Sequence, residues 1–279
     1  MNMTHTTRKN LGQVLRILLV TLCVIFFLFP IIWLLETSLK LKIDMFTLPP
    51  KWIGFTMTLK NFTYVLKTMP VLTWGKNSLL ISLGTMTLSL VLGVPAGYAF
   101  SRVKFRGRFA LLIFFLLART LPPVTLALPF RVLMLNMGLF GTRLSVILID
   151  TIYDATFTAW LMSGLFASIP EDLEEAAIID GCTAFTAFFK VILPLSLPGL
   201  VTSALFAFIY SWNDFIFAMT LTSPKTATLP LGMLSTSGML SVGWTYMAAM
   251  GVFAMLPVLL LSLFLQKYYV SGLTLGGVK

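Results

Sequence analysis

The sequence predicts an all-α polytopic membrane protein with six transmembrane helices. Three observations carry that expectation. Of 279 residues, 58% are hydrophobic and 11% are charged, about half the charge of a soluble domain. Uncharged runs of bilayer length recur along the chain. Those runs lack the strict alternation of a barrel strand, and backbone in lipid must satisfy its own hydrogen bonds, so helices are the economical choice.

The first span is about 14–35, and its uncharged run, 17–35, follows Arg8, Lys9 and Arg16. Its uncharged run is too long for the apolar region of a signal peptide, and no small-residue cleavage site follows it, so it reads as an uncleaved helix. The second span is about 77–100. The third, about 109–130, is interrupted by Arg119 and Pro122-Pro123. The fourth, about 144–166, contains Asp150 and Asp154. The fifth, about 195–221, contains Asp214. The sixth lies within 226–266, which holds no charge. That stretch is too long for one crossing, so its Gly- and Ser-rich part, 231–243, reads as loop or re-entrant and the crossing as about 246–265.

With the N-terminus inside, ten Lys/Arg fall inside, nine outside and Arg119 within a span. The total does not decide orientation. Density does: Arg102, Lys104, Arg106 and Arg108 crowd one short loop, where the positive-inside rule is strongest. The expected topology is N-in and C-in. The chain then divides into a cytoplasmic tail (1–13), a first helix with its external loop (14–76), a transmembrane core (77–266) that includes a cytoplasmic loop at 170–194, and a C-terminal tail (267–279). In the external loop, 61–66 reads as a short surface helix with Phe62, Val65 and Leu66 on one side, either a loop packing on helix ends or a docking surface for an external partner.

Composition also excludes. The net charge of +10 is scattered in short inter-helix segments, which suits anionic headgroups rather than nucleic acid. Cys23 and Cys182 lie too far apart in character and position to suggest a disulfide, and a single histidine, His5, offers no metal site.

Five of the ten acidic residues fall between Glu171 and Asp180. Pro170 suits a helix start, the acids suit the positive end of its dipole, and Gly181 suits a left-handed cap. A second helix, about 183–191, runs on toward Pro194. This is a helix–glycine–helix loop on the inner face, where net negative charge is unexpected. Leu173, Ala176, Ala177 and Asp180 share one helical face. An acidic rim around two alanines fits a plug for a basic groove on a partner.

Glu175-Ala176-Ala177, Asp180-Gly181 and Leu193-Pro194 together resemble the "EAA" signature of bacterial ABC-importer permeases. "SWNDF" (211–215), "LPPKW" (48–52) with "TLKNF" (58–62), and the tail "QKYYVSGLTLGGVK" (266–279) resemble its carbohydrate, maltose-type branch, second permease subunit. Cys182, Thr186 and Lys190 depart from the usual pattern without removing the Glu-Ala-Ala core or the glycine. The resemblance implies a type I ABC importer permease fold in the bacterial cytoplasmic (inner) membrane. It implies a homologous second permease, two ATPase subunits and an external solute-binding protein as partners. Glu174, Glu175, Ala176, Ala177, Asp180 and Gly181 would couple to the ATPase. No phosphate-binding loop is present in the sequence, since Gly75-Lys76-Asn77 lacks the leading glycine and the hydroxyl; ATP and Mg²⁺ would be bound by the partner, with no cofactor and no catalysis in this chain.

Charged groups in a span are costly and tend to be functional. Tyr153, Asp154, Tyr210, Trp212, Asn213 and Asp214 are the expected polar and aromatic lining of a carbohydrate path. Interhelical pairing, such as Arg119 with an aspartate, is the competing reading, and it extends to Asp150. At the level of function, an ion-coupled secondary carrier using Asp150, Asp154 and Asp214 is the alternative. An intramembrane enzyme is a third reading, supported only by the Asp150/Asp154 spacing.

Overall fold

The structure is a computed structural model, and it describes residues 5–49, 51–52, 54–236 and 243–274. The elements are α1 (His5–Leu39), α2 (Lys42–Met45), α3 (Lys60–Thr68), α4 (Val71–Arg102), α5 (Arg108–Arg119), α6 (Pro123–Asn136) and α7 (Arg143–Ser168). They continue with α8 (Asp172–Ile179), α9 (Ala184–Ala187), a π-helical turn (Phe188–Ile192), α10 (Leu193–Leu195), α11 (Leu197–Asn213), α12 (Ile216–Leu221), α13 (Leu229–Met233), a single 3₁₀ turn and α14 (Trp244–Thr274). Among the described residues, four helices are long and apolar enough to cross a bilayer, or six if each of two bent helix pairs is one span. Part of the 231–243 stretch expected to be loop or re-entrant lies outside the described residues, as do 275–279 of the C-terminal tail.

Two expected spans are broken, and the sequence supplies the reasons. The third is α5 and α6, bent by 93°. Pro122 is extended (φ −61°, ψ 128°) and Pro123 opens α6. A proline disfavours helical backbone in the residue before it, so α5 must end first. The fifth does not run to 221. It stops at Asn213, Asp214 takes extended backbone, and α12 starts afresh. At its other end, α11 meets the preceding helix at 78°.

The described residues fall into two compact units. One combines the chain through Met69 with Thr236–Phe253. In it α1 is exposed along most of its length, as a helix with lipid or another chain around it would be. The C-terminal end of α1 leaves carbonyls unpaired. Asn61 answers them, donating to Ser38 O at 2.8 Å and Lys40 O at 2.7 Å. Lys40 is buried, pairs with Glu36 and lies over Trp33 and Phe55, 5.6 and 4.9 Å from their ring centres. The expected grouping of Phe62, Val65 and Leu66 needs correction. α3 buries Asn61 and Val65, whereas Leu66 is 42% exposed. The carbonyls at the end of α1 require an amide, and that requirement turns the helix. Tyr64 stacks on Tyr246 with ring centres 4.4 Å apart.

The second unit combines Pro70–Ser235 with the chain from Ala254 onward. Its centre is α4 against α7, with α11 across both. On α4, Ser78, Ser82, Thr85, Ser89, Gly93 and Gly97 recur at intervals of three or four and are all buried. That spacing makes one face of small side chains, the kind that lets membrane helices approach closely. Ile81, Val146, Ile149, Tyr153, Phe217 and Leu221 pack one end of this core. Val94, Met162, Phe166, Phe188 and Ile192 pack the other. Asn77 donates to Lys225 O and Ala227 O at 3.1 and 2.8 Å and accepts from Arg143 Nε at 2.8 Å, which fixes the 225–229 segment onto α4.

The approach at Gly93 is tight enough to test. A methyl group there would lie 2.6 Å from Thr158 Cβ and 2.8 Å from Ala155 O, whereas one at Gly164 on α7 would meet nothing within 4 Å. Gly93→Ala should therefore destabilise the detergent-solubilised protein by about 1–3 kcal/mol, the usual cost of overpacking. Gly164→Ala should not destabilise it. Thermal unfolding of the two variants side by side checks this, and equal melting temperatures would refute the close-approach account.

Candidate functional site

The acidic loop folds as a short helix, a glycine turn and a second helix. Glu171 caps α8, and Asp172, Glu174 and Glu175 fill its first turn, where the helix dipole favours negative charge. Pro170 lies just ahead of the cap rather than inside the first turn. α8 ends at Ile179 with Asp180 as its cap, and Gly181 turns the chain with a φ of +91° that only glycine adopts without strain. Thr183 then accepts from Thr186 N at 3.3 Å and starts α9. The second helix was expected to stop before Pro194. It passes through it instead, because the π turn pairs Leu193 N with Phe188 O. That wider spacing makes room where a proline ring would otherwise clash with the preceding turn.

The structure divides the six predicted coupling residues into two sets. Glu174 and Ala177 face their own chain. Ala177 is buried, and Glu174 receives Tyr98 Oη–H and Arg102 Nε–H, the latter at 3.2 Å. Glu175, Ala176, Asp180 and Gly181 are exposed. Leu173, Ile178 and Ile179 join them, Ile179 at 84% exposure. The four residues expected on one face, Leu173, Ala176, Ala177 and Asp180, are therefore split, with Ala177 turned inward. The outward surface of α8 is apolar at its end and acidic at its start.

Sequence reading missed Tyr98 and Arg102. They lie one turn apart at the end of α4, so both reach the same neighbour. Arg102 was read only as one of four basic residues marking the inner side. The usable signal was its position in the last turn of a helix, four residues after a tyrosine and beside an acidic loop.

The membrane-level residues form a different kind of site. Asp150 is fully buried on α7. Its Oδ2 accepts Ser211 Oγ–H at 2.6 Å, and Ser211 Oγ lies 3.2 Å from Thr85 Oγ1. That small network joins α7, α11 and α4. Asp154, one turn on, lies 3.8 Å from the Arg119 guanidinium. Arg119 lies over Phe157 and Tyr210, 4.3 and 5.5 Å from the ring centres. Tyr153 and Tyr210 stack with centres 6.1 Å apart. Asp154, Arg119, Tyr210 and Tyr153 are thus brought together, at the point where α5 breaks from α6.

The other three predicted path residues have distinct settings. Trp212 is buried, and its indole N–H donates to Ala254 O at 3.0 Å; its observed contact is to α14. Asn213 is exposed and donates to Ile209 O at 2.8 Å, leaving its amide oxygen available. Asp214 accepts Phe217 N–H and Ala218 N–H at 3.3 and 2.8 Å, so its carboxylate caps α12.

Comparison with known proteins places this geometry. Residues 89–274 match the family described as binding-protein-dependent transport system inner membrane component. The chain is 34% identical to the sulfoquinovosyl glycerol transport system permease protein SmoH of Agrobacterium fabrum over 96% of its length and 94% of the relative. It is 35% identical to the trehalose transport system permease protein SugB of Mycobacterium tuberculosis over 93% of its length and 95% of that protein. In fold it resembles a chain of a bacterial ABC transporter that imports the acidic polysaccharide alginate, with a TM-score of 0.73 at 23% identity, covering 96% of this chain and 99% of the other. The stretch that includes the acidic loop, α11 and the buried aspartates lies inside the family match. Membership of a binding-protein-dependent system favours an importer component over a lone ion-coupled carrier that uses Asp150, Asp154 and Asp214. This chain belongs to the family of binding-protein-dependent transport system inner membrane components.

Proposed function

We propose that this chain is one transmembrane permease subunit of an ATP-driven carbohydrate importer. A homologous second permease completes the path. Two ATPase subunits, which bind ATP and Mg²⁺, dock on the cytoplasmic side, and a solute-binding protein delivers from outside. The chain itself catalyses no covalent step. Support for the solute class comes from the relatives, whose names specify sulfoquinovosyl glycerol and trehalose.

The observation that carries the coupling is the presentation of α8. Glu175, Ala176 and Ile179 point away from the chain, on a helix whose other side is anchored. In the N-in, C-in topology that surface meets the cytoplasm. A short acidic helix with a small-residue waist fits a groove with basic walls. ATP-driven closure of the ATPase pair would push α8 and swing the spanning helices between inward-open and outward-open states. Coupling of this kind needs only differential contact with the two states.

For the path, we propose that solute hydroxyls meet Asn213 and the Tyr210 edge, beside the Asp154–Arg119 pair. Tyr153, Trp212 and Asp214 form the supporting wall, since their polar groups or rings are engaged within the chain.

Two outcomes test this. Glu175→Lys should leave the protein inserted and assembled with its second permease but cut ATP-driven uptake about tenfold or more, within the usual range of coupling free energies. A fully coupled complex from that variant would refute the docking role. Asn213→Leu should raise the uptake KM about tenfold, the size of one lost hydrogen bond, with normal assembly. The assay is uptake of radiolabelled trehalose, maltose and sulfoquinovosyl glycerol by cells carrying the full system. Trp212→Ala should instead lower the yield of folded protein. The path assignment fails if Asn213→Leu transports like the wild type.

A further inference from the structure

Arg102, at the last turn of α4, reaches three groups on the far side of the acidic loop's entry. Nη2 donates to Ile169 O at 2.8 Å, Nε donates to Glu174 Oε2 at 3.2 Å, and Nη1 lies 3.8 Å from Glu171 Oε1. Tyr98, one turn earlier, donates to the other oxygen of Glu174. Both Glu174 oxygens are thereby taken. The Arg102 and Glu174 side chains are only 10% and 14% exposed, so solvent and salt screen this pair far less than a surface ion pair. Glu171, at 58%, adds little.

Without that grip, α8 keeps its packing on α9 and the π turn and is joined to α7 only through Ile169, Pro170 and Glu171, where Ile169 has extended backbone (φ −83°, ψ 124°). Such a connection bends easily, and an eight-residue helix does not hold its own position. Arg102 removes that freedom. Its planar fork fixes direction as well as distance, and it holds both sides of the bend at once: Ile169 O before it and Glu174 after it. The Tyr98 ring is itself held, with its centre 5.7 Å from that of Phe166 on α7 and 4.7 Å from that of Phe188 in the π turn. The partners therefore come from α4, α7, α8 and the turn beyond α9.

We infer that Tyr98, Arg102 and Glu174 form a rigid joint that makes α8 and α4 move as one body, so that force applied to the outer face of α8 reaches α4 and not α7 alone. Tyr98 and Arg102 are positioning residues; Glu175 and Ile179 receive the push. α4 carries the small-residue face against α7 and the Thr85–Ser211–Asp150 contact to α11. A joint at its end therefore delivers motion to the helices that bound the proposed path. This inference rests on the coupling reading above.

The test uses the whole complex, permeases and ATPase together, in lipid nanodiscs. In a Cys23→Ser, Cys182→Ser background, spin labels go at Ile178 on α8 and Leu72 at the far end of α4, which are 46% and 77% exposed. Pulsed EPR distances are recorded with and without ATP–Mg²⁺. In the wild type the distance should not change with nucleotide. In Arg102→Gln, and in the milder Tyr98→Phe, ATP–Mg²⁺ should shift it by about 2 Å or more, the size of a helix displacement in a switching protein. A merely structural role would broaden the distribution equally in both conditions. Variants that keep the wild-type distance in both conditions, or a wild type that itself shifts, would overturn the joint. ATP hydrolysis is measured alongside. If the ATPase neither co-purifies with the wild-type permease nor hydrolyses ATP with it, the coupling reading falls and the joint with it. A wild type that couples, with variants indistinguishable from it, removes the joint alone.

Discussion

The close approach of α4 to α7 is the constraint on which the rest of this protein depends. In a bilayer, apolar side chains gain little by leaving lipid for one another, so helices associate through tight packing and through polar groups that cannot stay in lipid. The Ser/Thr/Gly face of α4 provides both. It removes bulk where α7 crosses, and its hydroxyls sit where water is excluded. Asp150 is fully buried, with one carboxylate oxygen answered by Ser211, which also reaches Thr85 of that face. Remove the small-residue face and the carboxylate has nowhere to go. The polar network and the packing are therefore one feature, not two.

The same logic sorts the charges of the membrane region by what they touch. Asp154 has Arg119, and Arg119 has two aromatic rings as well. A guanidinium is weakly hydrated and flat, which suits it to lie between rings at the break of a helix. Asp214 spends its carboxylate on the amides of α12. A carboxylate so occupied serves the backbone first. Asn213, its neighbour, is exposed, with its amide oxygen unspent. Two adjacent polar residues of one motif thus differ in role, one holding the turn and the other facing outward.

Much of this was legible in the sequence, and the gaps have physical causes. Hydropathy located the four long apolar helices and both bent helix pairs. Pro122-Pro123 announced the broken third span, and Gly181 announced the turn of the acidic loop. The end of the fifth crossing was readable too, since Asn and Asp favour helix caps over helix interiors; apolar residues on both sides of Asp214 concealed it. What one sequence could not supply was which side of α8 faces its own chain. Ala176 and Ala177 are chemically identical, yet one is exposed and the other buried. Only the third dimension separates them, through Tyr98 and Arg102, residues seventy or more positions away. Likewise Asn61 displaced Leu66 from the inner side of α3 because the carbonyls at the end of α1 needed a donor, a demand visible only once the two segments meet.

The division of α8 also suits so small an element to the proposed task of carrying force. A helix held loosely would yield under a push and dissipate it in its own displacement. A helix buried on all sides could not be gripped. α8 avoids both failures by giving Glu174 and Ala177 to its own chain and Glu175, Ala176 and Ile179 to the outside. The two glutamates are adjacent in sequence and about 100° apart around the helix, enough to send one inward and the other outward. In the proposed coupling the acidic run is thus less a patch of charge than two roles on successive residues: an anchor shielded from water, and an open contact.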